Sequence, residues 1–295
     1  MNKESIVLRS LLFVPGHNEK IIEKAAQTMA DAIIFDLEDS VRPEKTKAFA
    51  RILIQKKIKE ISFRSPLLLV RVNDLDSGKL VNDLKMLCVK EISGFVFPKT
   101  KSKADIIELD KILTKIERDN GFEKNHFILI PLVETTGALI HLDSIIKASE
   151  RIVAVAFGCE DYIADLQGIH DPEGISLLFP RSQIAACARS NNIIPIDTVH
   201  INVHDLTDLE RNLRLAKTLG FEGMLCLHPK EIEIAHQYFS PSEAEIEDAK
   251  EMLDLARKAE KEGRGVALKN GKFIGPPMVK AAEKLLKKAE KIRKI

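Results

Sequence analysis

Charged side chains stand shortly after several apolar runs of this sequence. The acidic segment 36–39 follows one such run, and Arg71 ends another. Glu134 and Asp161 come after two later runs. A carboxylate that is partly removed from water needs a cation or hydrogen-bond donors beside it. Because the carboxylates at these positions outnumber the lysines and arginines near them, the sequence predicts a bound divalent cation.

Magnesium is the cation that this pattern favours. It binds one or two protein carboxylates and keeps its other positions for water and substrate oxygens. We predict Glu134 and Asp161 as its ligands, because two consecutive apolar runs would bring them to one ion; two solvated loop carboxylates are the alternative. Asp36 and Glu38 could hold metal-bound water or cap the helix that follows, and the sequence leaves both roles open.

A substrate carboxylate is the second group that these positions could bind. The guanidinium of Arg71 presents a planar fork of N–H donors that matches a carboxylate, although a salt bridge to the acids of segment 36–39 is the alternative. Gly137 opens a helical pattern, whose free N–H groups also favour an anion. We therefore predict two sets of residues: Arg71, Glu134, Thr135 and Gly137 for substrate binding, and Arg71, Asp36 and Glu38 for catalysis.

Two basic side chains in similar positions have two interpretations each. Lys99 could form a Schiff base in a metal-free aldolase, but we expect it to pair with the acidic segment 36–39. His228 precedes a proline and could act as a base or as a neutral, hydrogen-bonded structural histidine.

Eight apolar runs must form the strands that carry these side chains. They are apolar throughout rather than alternating, as expected for parallel strands buried on both faces. Amphipathic segments separate them, so right-handed helical crossovers should join consecutive strands. Eight such units predict a closed (β/α)8 TIM barrel, with the site at the C-terminal ends of its strands; an open doubly wound sheet is the alternative. The runs are residues 11–14, 32–35, 67–70, 94–97, 127–130, 152–157, 193–196 and 224–227.

The chain changes character after residue 240. Residues 241–262 have the pattern of a long charged helix, and residues 263–277 are rich in glycine and proline around two short apolar stretches, which indicates a hairpin. A lysine-rich helix should follow. We predict a TIM-barrel catalytic domain over residues 1–240 and a helix–hairpin–helix extension over residues 241–295 that acts as a lid or an oligomer contact.

Composition argues against several classes of function. Lysine and arginine number 45 against 44 aspartates and glutamates, a formal net charge of +1. This balance does not call for nucleic acid or a membrane surface as a partner. No stretch approaches the ~20 apolar residues of a membrane span, and the first ten residues lack a signal-peptide pattern. The four cysteines are scattered in apolar surroundings, which predicts a reducing cytoplasm rather than a disulfide or zinc framework.

These strand-end residues, taken in order, resemble the citrate lyase beta-subunit family, with malyl-CoA and citramalyl-CoA lyases, within the HpcH/HpaI aldolase superfamily. Several motifs in the right order, each at a strand end, are stronger grounds for this resemblance than any one of them. They are RSLLFVPG at 9–16, FDLEDSV at 35–41, VRVN at 70–73, FPK at 97–99, VET at 133–135, FG at 157–158 with Asp161, ADLQG at 164–168, and HP at 228–229.

The resemblance implies a magnesium-dependent carbon–carbon lyase. Such an enzyme would cleave a 3-hydroxyacyl thioester of coenzyme A or an acyl carrier to acetyl thioester and pyruvate, glyoxylate or oxaloacetate. The family's metal ligands match Glu134 and Asp161, its carboxylate-binding arginine matches Arg71, and its outer-sphere acids match Asp36 and Glu38. It also implies a homotrimer or hexamer whose C-terminal hairpin reaches toward a neighbouring subunit.

One position departs from the family pattern. The family commonly carries an aspartate within the hairpin segment, thought to handle the proton at the methyl carbon of the acyl thioester, and Gly275 stands in its place. This departure keeps two alternatives open. One is an aldolase for free 2-oxo acids that does not use coenzyme A, and the other is a subunit active only within a citrate lyase-type complex.

Overall fold

The computed structural model describes residues 6–171 and 173–293. These residues divide into two compact units. One comprises Leu8–Ala235, and the other comprises residues 236–293 together with residues 6 and 7. All of the side chains predicted for the active site belong to the first unit. The division into a catalytic domain over residues 1–240 and a lid or oligomer contact over residues 241–295 remains a prediction.

Eight parallel strands close into a barrel in the first unit. Each strand pairs with the next, and β1 pairs with β8, so the predicted TIM barrel is confirmed. The strands are buried along nearly their whole length, which explains why they are apolar throughout. Their bounds are β1 Ser10–Pro15, β2 Ala32–Asp36, β3 Leu67–Arg71, β4 Gly94–Phe97, β5 Ile128–Val133, β6 Ala154–Phe157, β7 Ile194–Asp197 and β8 Gly223–Cys226.

Helices surround this barrel and connect its strands. None of the helices in the described ranges combines the length with the apolar character that a membrane span requires. The helices of this part of the chain are α1 Glu19–Ala25, α2 Thr46–Glu60, α3 Leu80–Leu87, α4 Lys103–Asp119, α5 Thr136–Ile140, α6 Leu142–Ile146, α7 Cys159–Leu166, α8 Ile175–Ser190, α9 Leu206–Leu219 and α10 Lys230–Phe239.

The amphipathic segment between β5 and β6 forms two short helices rather than one continuous helix. His141 has backbone angles of φ −98 and ψ 13, outside the helical range, and it separates α5 from α6. Leu139, Leu142 and Ile145 are all buried. Their helical spacing continues across the break, so apolar periodicity alone cannot reveal it.

The register of the strands determines which side chains meet at the end of the barrel. Pairing of β2 with β3 sets Asp36 opposite Arg71. The last residues of β5 and β6 are also paired, so Glu134 and Gly158, which follow them directly, lie side by side. All four residues stand at the C-terminal ends of strands, where barrel enzymes carry their active sites.

Arg151 is a fully buried arginine that contacts α4. It donates to both carboxylate oxygens of Glu117, which is buried as well. Its Nε bonds Asp110 at 2.9 Å, and its Nη1 reaches the carbonyl oxygen of Phe127 at 3.3 Å. A buried charge is stable only when it is paired in this way.

Replacing Arg151 with methionine is expected to lower the free energy of unfolding by about 3–5 kcal/mol, because Glu117 would keep a buried charge without its partner. Urea unfolding followed by circular dichroism measures this loss. Arg118 on α4, whose side chain is exposed and pairs only loosely with Asp119, provides the control. Arg118→Met should change stability by less than about 0.5 kcal/mol. Equal losses in the two variants would contradict the account of the network.

The second unit contains two long helices and a two-stranded antiparallel hairpin, so the predicted helix–hairpin–helix order is confirmed. Ala259, Ala267 and Ile274 form its buried centre. Apolar residues on one side of the hairpin therefore pack into the core of the second unit. The bounds are α11 Glu243–Lys261, β9 Ala267–Lys269, β10 Lys272–Ile274 and α12 Pro276–Ile292.

Candidate active site

Glu134 is a buried carboxylate at the C-terminal end of β5. Only 4% of its surface is exposed, and its Oε2 accepts the backbone N–H of Lys99 at 2.6 Å. No ion pair reaches it from residues 6–171 and 173–293. Burial raises the pKa of Glu134 to about 7, and the negative charge of Asp161 contributes in the same direction. A cation bound beside Glu134 would therefore stabilise the charged form of this carboxylate.

Glycine is required beside Glu134, because the ends of β5 and β6 approach closely. A Cβ on Gly158 would lie 2.5 Å from Cγ and 2.9 Å from Oε1 of Glu134. Any larger residue would displace the carboxylate or the backbone. The backbone at Gly158 thus forms one wall of the position that Glu134 occupies.

Asp161 stands on a helix rather than at a strand end. The sequence predicts a position at the end of the sixth strand, but β6 ends at Phe157 and Asp161 belongs to the first turn of α7. Its side chain is exposed. Its negative charge adds to the rise in the pKa of Glu134, so the two predicted ligands interact electrostatically.

Arg71 and Asp36 form a bidentate pair across β3 and β2. Nε and Nη2 of Arg71 donate to the two carboxylate oxygens of Asp36 at 2.6 and 2.7 Å. Burial alone would raise the pKa of Asp36, but the charge and hydrogen bonds of Arg71 hold it below its ordinary value. The guanidinium also lies 4.8 Å from the ring centroid of Phe13. The salt bridge that the sequence offered as the alternative is therefore present, and Nη1 of Arg71 also lies 3.2 Å from Oε2 of Glu38 and 3.6 Å from Oδ2 of Asp39.

Glu38 lies between Arg71 and Lys99. Its Oε1 accepts Nζ of Lys99 at 2.5 Å, and its Oε2 lies 3.2 Å from Nη1 of Arg71 without a hydrogen bond. Burial raises the pKa of Glu38 to about 7, and the neighbouring Asp39 acts in the same direction. Burial would lower the pKa of Lys99, but its bond to Glu38 raises it, so the amine stays protonated. The expected pairing of Lys99 with the acidic segment is confirmed.

Two carboxylates are what this site offers to a metal ion. The described part of the chain contains no group of three or more histidine, cysteine, aspartate or glutamate side chains arranged to hold a metal. A closed zinc or calcium cage would need more ligands than Glu134 and Asp161 provide. Magnesium uses one or two carboxylates and keeps several waters. A buried carboxylate with a raised pKa and no cationic partner fits this ion.

The start of α5 is largely occupied by protein groups. Oδ2 of Asp165 accepts both the N–H and the hydroxyl of Thr136 at 2.7 Å. The hydroxyl oxygen of Thr135 accepts the N–H of Ala138 at 3.1 Å. The helix has only five residues, so its dipole adds little. Within the described ranges, the N–H of Gly137 has no protein acceptor and is the donor left for a ligand.

His228 serves the start of α10. Its Nδ1 accepts the backbone N–H of Lys230 at 3.1 Å, and the backbone N–H of His228 donates to Oε2 of Glu231 at 3.3 Å. Of the two interpretations of His228, the structural one agrees with these contacts.

Sequence reasoning gave no role to Asp165 and did not explain Gly158. Asp165 follows Asp161 by four residues, so helical spacing puts both carboxylates on one side of α7. A signal for that helix would therefore have linked them. Gly158 stands directly after a buried apolar run, where a glycine often marks a close approach of another group.

The fold and these side chains define a class of protein, a TIM-barrel enzyme with an acidic site at the ends of its strands. The profile of the HpcH/HpaI aldolase/citrate lyase family matches residues 9–229, and the chain belongs to this family. It is accordingly an enzyme of the lyase class.

Relatives cover nearly the whole chain. The citrate lyase subunit beta of Haemophilus influenzae is 34% identical over 282 residues, covering 96% of this chain and 97% of that protein. The L-malyl-CoA/beta-methylmalyl-CoA lyase of Rhodobacter capsulatus is 30% identical over 302 residues, covering 96% and 94%. The crystal structure of CitE from Mycobacterium tuberculosis with magnesium, acetoacetate and coenzyme A matches with a TM-score of 0.78 and 26% identity, covering 97% and 99%. The resemblance drawn from the motifs is confirmed.

Proposed function

We propose that this protein is a magnesium-dependent carbon–carbon lyase that acts on a coenzyme A thioester of a 3-hydroxy acid. The observation that carries the proposal is Glu134, a buried carboxylate without a cationic partner among the described residues, within reach of Asp161. The names of the relatives agree with it, since one is a lyase for malyl-CoA and the CitE structure contains magnesium and coenzyme A.

Glu134 and Asp161 would hold the magnesium ion. When bound, the ion acts as a Lewis acid at substrate oxygens and stabilises the negative charge that develops there. The chain's part is to present the two carboxylates. The backbone at Gly158 and the N–H of Lys99 keep Glu134 in place for this purpose.

Arg71 would bind the carboxylate of the substrate. Asp36 occupies the edge formed by Nε and Nη2, so a ligand would have to share Nη1 with the nearby carboxylates of Glu38 and Asp39. Asp36 would orient the guanidinium of Arg71 through its two hydrogen bonds. Glu38 would help to keep the guanidinium in position, because its carboxylate lies beside Nη1. Thr135 can donate its hydroxyl hydrogen, because only its oxygen is used by the helix start. The N–H of Gly137 would supply a further donor.

The reaction would be a retro-aldol cleavage. The bond between the carbon that bears the hydroxyl and the carbon next to the thioester carbonyl breaks. The hydroxyl loses its proton and becomes the carbonyl of a 2-oxo acid, while the thioester fragment takes the electron pair as an enolate and is then protonated on carbon. Acid–base help at this proton is typically worth about 10²–10⁴-fold, so an enzyme with Gly275 in place of the family's aspartate would be slower but not inactive.

The test is a substrate screen with the purified chain and magnesium. We expect release of pyruvate, glyoxylate or oxaloacetate from citramalyl-CoA, malyl-CoA or a citryl thioester, followed with coupled dehydrogenases. One methyl group changes discrimination by only about 1–3 kcal/mol, so more than one thioester should react. No release from any of the three in the presence of magnesium would overturn the proposal.

Gly275 favours a second candidate, cleavage of free hydroxy-oxo acids without coenzyme A. It directly precedes α12 and supplies no carboxylate. Activity on free acids with none on the thioesters would support this candidate. Activity that appears only after addition of other citrate lyase subunits would instead support a role within a complex. We also propose a homotrimer or hexamer in the cytoplasm, which sedimentation and cell fractionation would test.

The contact between Gly158 and Glu134 yields a prediction for metal affinity. Gly158→Ala is expected to weaken magnesium binding about 10–100-fold, the usual cost of disturbing a residue that positions a metal ligand, because the added Cβ would collide with Glu134. Calorimetric titration with magnesium measures the affinity. Gly265→Ala, where a Cβ would meet open space, is the control and should bind magnesium as the native chain does. Native affinity in Gly158→Ala would contradict the assignment of Glu134.

A further inference from the structure

Lys47 is a buried cation to which the proposed mechanism gives no role. It lies in the first turn of α2 with 9% of its surface exposed. An ammonium group has three N–H donors, and all three are used here. Nζ donates to the carbonyl oxygens of Leu37 and Glu38, both at 2.9 Å, and to Oδ1 of Asn73 at 2.5 Å. None of these acceptors is a carboxylate, so the group is not an ordinary salt-bridge partner.

A second buried lysine on the same helix provides the contrast. Lys57 is 6% exposed and pairs with the carboxylates of Glu19 and Glu23 at 2.5 and 2.7 Å. Hydrogen bonds to these acids raise the pKa of Lys57, whereas burial lowers the pKa of Lys47. Burying an ammonium group without a carboxylate partner is costly. The presence of Lys47 must therefore be explained by the groups that it holds.

The acceptors of Lys47 belong to the two segments that carry Arg71, Asp36 and Glu38. We call these three side chains the substrate-carboxylate clamp, because Arg71 would bind the carboxylate of the substrate. The two carbonyl groups lie at residues 37 and 38, directly after β2, and Asn73 lies two residues after Arg71 at the end of β3. Asn73 is fixed from its other side, because its backbone N–H and Nδ2 both donate to Asp83 at 2.8 Å. Lys47 thus joins the ends of β2 and β3 through a buried polar network.

The carboxylate of Glu38 depends on this backbone. Lys47 fixes the peptide of Glu38, whose side chain in turn contacts Lys99 and lies against Nη1 of Arg71. A polar cavity of about 370 Å³ is lined by Glu38, Lys47, Asn73 and Lys99 among others. Lys47 therefore forms part of the wall of the cavity beside Glu38.

We propose that Lys47 is a positioning residue for the substrate-carboxylate clamp. Its ammonium sets the backbone at residues 37 and 38, and through Glu38 it sets the edge of Arg71 that faces the ligand. This inference rests on the proposed function of the site. It can be tested separately, because Lys47 contacts neither Glu134 nor Asp161 in the hydrogen bonds that fix it.

The experiment compares Lys47→Met with Lys57→Met. Both variants remove a buried ammonium from α2, so both should lose stability. Lys47→Met is expected to lower kcat/KM about 10²-fold, the size of effect that a displacement of about 1 Å at an active site can produce. It should also weaken calorimetric binding of oxaloacetate in the presence of magnesium while leaving the affinity for magnesium alone unchanged. Lys57→Met should match the native chain in all three measurements.

Lys47→Gln keeps two N–H donors on a shorter side chain and serves if the methionine variant does not fold; its kinetic loss should be smaller but of the same kind. Equal kinetics and equal oxaloacetate affinity in the Lys47 and Lys57 variants would overturn the inference while leaving the proposed function intact. If the native chain cleaves no thioester, the proposed function fails, and the oxaloacetate affinities alone decide for or against Lys47.

Discussion

Replacing Glu134 with glutamine is expected to abolish magnesium-dependent cleavage, lowering kcat by about 10³-fold or more. The substitution keeps the size of the side chain but removes its charge, and a neutral amide is a poor ligand for magnesium. Loss of metal catalysis removes several kcal/mol of transition-state stabilisation, and each ~1.4 kcal/mol is a tenfold change in rate. Steady-state rates across a range of magnesium concentrations measure the effect.

Glu160 offers a matched control for this variant. It precedes Asp161 in the first turn of α7, its side chain is exposed, and it pairs with His170 at 2.9 Å. Glu160→Gln removes one negative charge from the same neighbourhood, so it corrects for any general electrostatic effect. We expect near-native rates from it. Substantial magnesium-dependent activity in Glu134→Gln would refute the assignment of that residue as a ligand.

Replacing Arg71 with lysine is expected to lower kcat/KM by about 10²–10³-fold, mainly through a higher KM. Lysine keeps the charge but lacks the planar fork that could bind Asp36 along one edge and a substrate carboxylate along another. Leaving the buried Asp36 with fewer hydrogen bonds should also cost about 1–3 kcal/mol of stability. Kinetics with the best thioester and urea unfolding separate the two effects.

Arg42→Lys is the control for the arginine. Arg42 is exposed and lies 3.6 Å from Asp39, so it shares the acidic segment without the buried geometry of the clamp. Its replacement should leave both KM and stability near their native values. A native KM in Arg71→Lys would show that the guanidinium is an internal salt bridge alone, which was the alternative that the sequence left open.

The strands were predictable from sequence because burial on both faces leaves a strong and simple signal. Each of the eight apolar runs overlaps one observed strand. Glu134 could be located by the same logic, since it comes shortly after the fifth run, 127–130. Apolar runs say less about the polar residues that follow them. Asp161 could be placed near the sixth strand, but the helix to which it belongs could not be recognised.

The helices were harder to recognise for physical reasons. α8 contains Pro180 in its interior, and proline lacks the N–H that a helix normally uses. The segment therefore has a sequence that argues against the structure it adopts. Packing of Arg181, Ile184 and Ala185 into the interior outweighs that local preference, and a tertiary effect of this kind is not visible in a single sequence.

The polar network behind the site could not be derived from spacing. Lys47 and Asn73 are 26 residues apart, and nothing in either segment indicates that they meet. Likewise, the pairing of Asp36 with Arg71 depends on the register of β2 against β3. The sequence identifies Asp36 and a substrate carboxylate as candidate partners of Arg71. It does not show which edge of the guanidinium Asp36 contacts.

The proposed chemistry depends on one divalent ion that Glu134 and Asp161 share. Titration with Mn²⁺, followed by the loss of free-ion signal in electron paramagnetic resonance, counts such sites without any need for a substrate. We expect one Mn²⁺ per native chain, displaced by Mg²⁺, the same stoichiometry in Glu160→Gln and no specific binding in Glu134→Gln. Native stoichiometry and affinity in Glu134→Gln would mean that the ion sits elsewhere, and the proposed chemistry would lose its centre.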